Sequence, residues 1–166
     1  MILSHISILK NKERIKKLQA RRQQIMADLK DAKSEGDLRE NFAYKQGREE
    51  LQRVDKELSD CPEIIPGADV VDPLEWTQGD TPKLVRVGTT VLVQVDNGKP
   101  EEFLIGGAWD NFPGVVAYTA PLAKTIMTLN AGESRTTYIA GEEKKFTVKG
   151  IRNPTEDEIY ALYPEI

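Results

Sequence analysis

The feature that most constrains this chain is a seven-residue apolar repeat carried twice. Ile8, Ile15, Leu18, Ile25, Leu29 and Ala32 fall on one grid built from steps of three and four, and Tyr44, Gly47, Leu51, Val54, Leu58 and Cys61 fall on a second. Each grid lays a narrow apolar stripe along one side of a helix, too narrow for a globular core and wide enough for two helices to zip together. Between them, Glu35 to Tyr44 interrupts the pattern, so the expected structure is an antiparallel helical hairpin with its tip at 35–44. From Ile6 to Glu35 the first helix is predicted to run roughly 45 Å, a length suited to reaching into a recess of a larger partner. The competing use of such a seam is dimerisation. Gly47 and Arg22 on the grid weaken a long parallel seam, so the chain is read as a monomer.

The tip can be read residue by residue. Gly36 suits the left-handed residue that ends a helix. Asp37 then suits the N-cap of the next helix, with Glu40 three residues on reaching back as in a capping box. A second reading of the same pair stands beside the first. Two carboxylates three residues apart project to one side of a first helical turn and offer hard oxygen donors to a divalent cation, although two ligands alone bind magnesium weakly and need a partner to complete the site.

The string Gly36-Asp37-Leu38-Arg39-Glu40-Asn41-Phe42-Ala43-Tyr44 resembles the Gly-Asp-Leu-x-Glu-Asn-x-x-Tyr tip of the Gre factors, the transcript-cleavage factors of bacterial RNA polymerase. The resemblance extends from about Ile6 to Arg152. It implies an α+β protein: an N-terminal antiparallel α-helical coiled-coil hairpin followed by an FKBP-like antiparallel β domain with a short helix. It further implies a hairpin that enters the secondary channel of a backtracked polymerase, where the nascent RNA 3′ end has been extruded. Asp37 and Glu40 would there help to retain a Mg²⁺ ion shared with the polymerase active site, with none tightly bound in the free protein. Gly36, Leu38, Asn41 and Tyr44 would shape the tip, and the chain would cleave nothing alone. One departure bears on activity: the family tip commonly carries a further Glu before the Tyr, where this chain has Ala43. A Gre-like regulator that occupies the channel and inhibits or modulates polymerase is therefore the alternative. A structural coiled-coil adaptor would require the tip match to be accidental.

Charge is distributed unevenly. Residues 1–34 carry nine Lys and Arg against three Asp and Glu, while residues 62–166 carry nine against sixteen. The basic side chains of the first helix, Arg14, Lys17 and Arg21 among them, are either a solvated helix surface or a flank that meets RNA or an acidic polymerase wall. They are not interleaved with stacking aromatics, which argues against a sequence-reading RNA module. With one cysteine, Cys61, and one histidine, His5, there is no Cys/His zinc constellation, and any metal site must be built of carboxylates. Cys61 reads as packing, and His5 as an exposed terminal side chain. No stretch is long or apolar enough to cross a membrane, and Met1 to Ile6 lacks a signal-peptide pattern, so a cytoplasmic location is expected.

Pro62, Pro66 and Gly67 mark the expected division into a hairpin over 1–65 and a β domain over 66–166. A short strand is predicted within Ala68–Asp72, then an irregular loop over 73–82 with Trp76 as a packing anchor. Val91, Val93 and Val95 begin a hairpin that turns at Asp96-Asn97-Gly98 and returns through Phe103 to Gly106. Val115–Tyr118 adds a strand, Pro121 to about Leu129 a short helix, and Arg135–Ala140 with Lys145–Ile151 a last hairpin. An FKBP-like fold raises prolyl isomerisation, which needs an apolar pocket lined by aromatics. Trp109, Phe103, Phe112, Tyr118, Tyr138 and Phe146 are available, several of them needed for the core, and fold analogy does not transfer activity. Ala120-Pro121-Leu122-Ala123 resembles instead the family's Ser-Pro-Leu-Gly docking segment, which makes Pro121 and Leu122 candidate polymerase contacts. In the tail, Thr155 and Glu158 form a capping-box pattern that predicts a final helix with Ile159, Leu162 and Tyr163 on its apolar side.

Overall fold

The structure, a computed structural model, describes residues 1–34 and 42–164. It divides into two compact units: Ile8–Pro66, and Met1–Ser7 together with Gly67–Ile166.

The first unit is the hairpin. Its helices are α1 (His5–Ser34), whose first residues belong to the second unit, and α2 (Phe42–Asp60). The grid survives as a burial pattern: Ile8, Ile15, Ile25 and Val54 are buried, and the other members of both stripes are half-buried. Cross-helix pairs fix the antiparallel register. Arg14 meets Glu57 at 3.3 Å and Arg21 meets Glu50, so partners run in opposite directions along the two helices. Arg22, a cation on an apolar grid, resolves its position by reaching Asp55 at 2.6 Å. Gly47 marks a close approach, since a Cβ there would lie 2.9 Å from Leu29 Cδ2.

The second unit holds two sheets. β1 (Ile2–Ser4) pairs in parallel with β2 (Asp69–Val71). A 3-10 helix follows at Pro73–Thr77, capped by the Asp72 carboxylate, which accepts the Leu74 N–H at 2.9 Å. The larger sheet contains β3 (Thr90–Val95), β4 (Glu101–Gly106), β5 (Val115–Ala117), β6 (Ser134–Ile139) and β7 (Glu142–Arg152), in the order β5-β4-β3-β7-β6. Between β5 and β6 lies α3 (Pro121–Ile126), and α4 (Glu156–Leu162) ends the described chain.

The alternation of side chains along these strands builds two apolar clusters. Val91, Val93, Ile105, Phe146 and Val148 pack with Ala123 and Ile126 of α3. On the other face, Leu104 and Val115 pack with Ile6, Ile159 and Tyr163, flanked by Leu74, Trp76, Phe112 and Leu162. Trp76 is the packing anchor expected: its ring meets Tyr163 edge-on at 6.2 Å and lies where a Cβ on Gly88 would fall, 2.5 Å away.

Three features depart from the sequence expectation. The sheet is mixed, because β5 runs parallel to β4 while the other neighbours are antiparallel. Met1–Ser7 belongs with the β unit and not with the hairpin, because β1 pairs with β2 and Leu3 and Ile6 are fully buried there. His5 is half-buried, 3.9 Å from Asp72, where an exposed side chain was expected.

A buried polar junction holds this unit's ends. The fully buried Asp110 carboxylate accepts the Ser4 hydroxyl at 2.6 Å, the Gly107 N–H at 2.8 Å and the Tyr163 hydroxyl at 3.0 Å. Gly106 and Gly107 leave room for it, since a Cβ on Gly106 would lie 2.6 Å from the Asp110 Cβ. Burial beside this carboxylate raises the Tyr163 hydroxyl well above its ordinary pKa, so it stays a donor.

Candidate functional site

The residues that sequence marks as a site fall in three places. The first is the tip. α1 closes at Ser34, whose hydroxyl donates to the Asp31 carbonyl at 2.6 Å, and α2 opens at Phe42. Gly36, Asp37, Leu38, Glu40 and Asn41 lie outside the described residues, and with them the capping box and the carboxylate pair. Tyr44 is described; it is half-buried in the first turn of α2, on the grid side. Among the described residues, no group of three or more His, Cys, Asp or Glu side chains could hold a metal ion.

The second place is the basic flank of α1. Lys10, Arg14, Lys17, Leu18 and Arg21 recur at helical spacing, so they share one side of α1 and, with Glu13, line an open groove of about 550 Å³. None of the three candidate contacts is a bare charge. Arg14 reaches Glu57, Arg21 reaches Glu50, and Lys17 holds Glu13 at 2.7 Å. Lys17's hydrogen bond and charge hold the Glu13 carboxyl below its ordinary pKa. All three cations remain more than half exposed, so these are weak pairs from which a stronger anion can draw them.

The third place is the start of α3. Pro121 takes the first helical position, where its missing N–H costs nothing, and is exposed, whereas Leu122 is half-buried against the core. Pro121 borders a groove of about 380 Å³ between α3 and the edge strand β6, with Lys124, Arg135 and Tyr138 on its walls. Arg135 donates to the Thr125 carbonyl at 2.9 Å and so ties β6 to the end of α3. Sequence reading singled out neither Arg135 nor an outward Tyr138. The available signal was strand alternation through Ser134–Ile139, too polar throughout to show which side faces water. The aromatics that a proline pocket would need are divided between core and surface, with Phe103 and Tyr118 packed on the larger core cluster. Phe146 fills the core, Phe112 packs edge-on to Tyr163 at 5.1 Å, and Tyr138 is exposed.

Both units carry a family pattern. Residues 2–70 match the family described as transcription elongation factor, N-terminal, and residues 80–153 match transcription elongation factor, GreA/GreB, C-terminal. Transcription elongation factor GreA of Treponema pallidum is 32% identical over 119 residues, which cover 70% of this chain and 71% of that protein. The chain belongs to the GreA/GreB family of transcription elongation factors. GreA of Nautilia profundicola is 29% identical over 133 residues, covering 78% of this chain and 80% of the relative. Among solved structures, GreA factor homolog 1 of Thermus thermophilus is 13% identical, covers 92% of this chain and 99% of its own, and superposes with a TM-score of 0.39.

The GreA/GreB patterns leave out residues 71–79 and the tail beyond 153. Those two segments pack on each other: Leu74 and Trp76 from one join Ile159, Leu162 and Tyr163 from the other. The two segments outside the matched spans therefore share one apolar cluster. The tail's anchor is Arg152, which donates to Glu102 and to Glu158 at 2.6 Å each, while Glu158 closes the capping box on Thr155.

Proposed function

We propose that this protein is a transcription elongation factor that binds RNA polymerase in the cytoplasm as a monomer, presents its hairpin tip in the secondary channel, and stimulates cleavage of backtracked RNA by the polymerase. The observation that carries this reading is that both family patterns occur in order on one chain whose antiparallel helices are joined by Gly36-Asp37-Leu38-Arg39-Glu40-Asn41. In sequence the string connects α1, which closes at Ser34, to α2, which opens at Phe42. Asp37 and Glu40 supply hard carboxylate oxygens of the kind that magnesium prefers, and two such donors make an incomplete set that a second protein must complete. A divalent ion held jointly there would supply charge and a polarised water for in-line attack on the RNA phosphodiester. Asn41 and Tyr44 position the tip, and Arg14, Lys17 and Arg21 offer cations along α1 for RNA or an acidic wall. Pro121 and Leu122 form part of the docking surface of the β unit. The factor completes another enzyme's site and has no ribonuclease activity alone.

Ala43 favours a second reading, because a carboxylate expected at the family tip is missing. In that reading the protein occupies the channel and slows the polymerase. One experiment separates the two. A backtracked elongation complex with end-labelled RNA is mixed with the protein or with its Asp37→Asn/Glu40→Gln variant in Mg²⁺. The cleavage reading expects acceleration by the unaltered protein and a loss of that acceleration on the order of a hundredfold in the variant, with polymerase binding retained. If the unaltered protein binds yet slows cleavage or nucleotide addition, the inhibitory reading holds.

A further inference from the structure

Phe42 is the most exposed large apolar side chain among the described residues, at 78%. It opens α2 and directly follows the tip string, and packing does not explain it. Tyr44, Gly47 and Leu51 define the seam side of α2, and Phe42 lies two residues before Tyr44, roughly 200° around the helix. It therefore points out of the hairpin. Its neighbours on the same side are Lys45 at i+3 and Gln46 at i+4, both exposed.

We propose that Phe42 is a stacking surface for the unpaired base at the RNA 3′ end, with Lys45 facing the adjoining phosphate. This rests on the cleavage-factor reading above and adds to it a residue that positions the substrate. The chemistry of the pair selects the occupant. An aromatic that takes a base face, beside a cation that takes the backbone, is how proteins hold single-stranded nucleic acid. A protein partner would instead call for an anchor set in further apolar surface. Among the described residues, Phe42 has Ala43, Lys45 and Gln46 beside it, and none of these is a large apolar side chain. Stacking tolerates every base, so Phe42 holds the terminal nucleotide without selecting sequence.

The test uses the full chain and a backtracked elongation complex whose RNA ends in 2-aminopurine, a base whose emission reports stacking, in the absence of divalent metal so that no cleavage occurs. A matched complex carries an abasic 3′ terminus. The unaltered protein and Phe42→Trp should quench the emission, and Phe42→Ala should not when bound at saturation. Affinity should fall about tenfold on Phe42→Ala for the complex with a terminal base, and should not change for the abasic complex. Quenching that persists in Phe42→Ala, or an equal loss of affinity for both complexes, overturns the assignment while leaving the cleavage-factor reading intact. If the unaltered protein does not bind the complex at all, both fall together.

Discussion

Among the described residues of the hairpin, Ile8, Ile15, Ile25 and Val54 are the buried apolar side chains, and exposed ion pairs between Arg14 and Glu57 and between Arg21 and Glu50 flank them. In the β unit, two clusters cover both faces of the sheet, and a carboxylate with three hydrogen-bond donors closes the interior. The first arrangement leaves most helix positions unconstrained by packing, so charge and aromatic surface can be chosen there for a partner. The second buries the inward positions of β3, β4, β5 and β7 and leaves β6 mostly exposed. The candidate residues of the hairpin therefore sit on a surface that packing leaves free, whereas those of the β unit, Pro121 and Leu122, sit at the start of α3, beside the core.

The contrast is most easily broken by comparing core truncations. Phe146→Ala removes a ring at the centre of the β cluster and should cost about 3–5 kcal/mol. Ile25→Ala, as deeply buried but in a two-helix seam that can close around the gap, should cost about 2 kcal/mol, at the low end for such changes. Urea unfolding followed by tryptophan fluorescence reads the β unit, because Trp76 and Trp109 both lie in it, and far-UV circular dichroism is dominated by α1 and α2. Equal costs from the two substitutions would show that the seam is packed as tightly as the β core.

The buried junction sharpens the same comparison. Asp110→Ala strands the Ser4 hydroxyl, the Gly107 N–H and the Tyr163 hydroxyl in a dry interior and should cost about 3 kcal/mol. Tyr163→Phe leaves the carboxylate two donors and should cost about 1 kcal/mol. Thermal unfolding of the two variants checks that asymmetry. A result in which both cost the same would mean that the Tyr163 hydroxyl carries the junction and that the Ser4 and Gly107 donors add little to it.

How much of this was legible follows from the range of each interaction. The hairpin was visible because a seven-residue period is local, and the same holds for the β3–β4 turn at Asp96-Asn97-Gly98 and the Thr155–Glu158 capping box. The parallel pairing of Ile2–Ser4 with Asp69–Val71 was not, because three residues carry too little pattern and their partner is more than sixty positions away. The direction of β5 was hidden for a similar reason: Val115–Ala117 reads as a strand whichever way it runs. Asp110 sits among Trp109 and Asn111 and looks like a turn residue until Ser4 and Tyr163 arrive from the two ends of the chain. Asp37 and Glu40, read from the sequence as the chemistry of the tip, lie outside the described residues. The exposure of Phe42 came only from the structure.

Weaker effects come from the tail's ion pairs. Hydrogen bonds from Arg152 pull the Glu158 carboxyl down to about 2, below its unfolded value near 4.5. A lowered folded pKa means that this stabilisation is fully present above about pH 4.5 and is lost as pH falls toward 2. The group is more than a third exposed, so solvent screening keeps the contribution below about 1 kcal/mol. Glu158→Gln should lower stability at pH 7 and flatten the decline between pH 4.5 and 2, with the two proteins converging at the acid end. Urea midpoints measured across that range test it; parallel curves would show that Glu158 stabilises the tail through its capping-box geometry and not through its charge.

The smallest expected effect lies in the hairpin and bears most on how α1 meets a partner. Arg21 and Glu50 face each other across the seam with side chains 54% and 38% exposed, so water already screens their attraction. A double-mutant cycle with Arg21→Ala and Glu50→Ala should give a coupling of about 0.2–1 kcal/mol that fades in high salt. A coupling that small leaves Arg21 easy to withdraw from Glu50 when a phosphate or an acidic wall competes for it. If the cycle instead gives more than about 2 kcal/mol and resists salt, Arg21 is a fixed part of the seam. It would then be removed from the cations that α1 can offer to RNA, leaving that role to Lys17 and its neighbours.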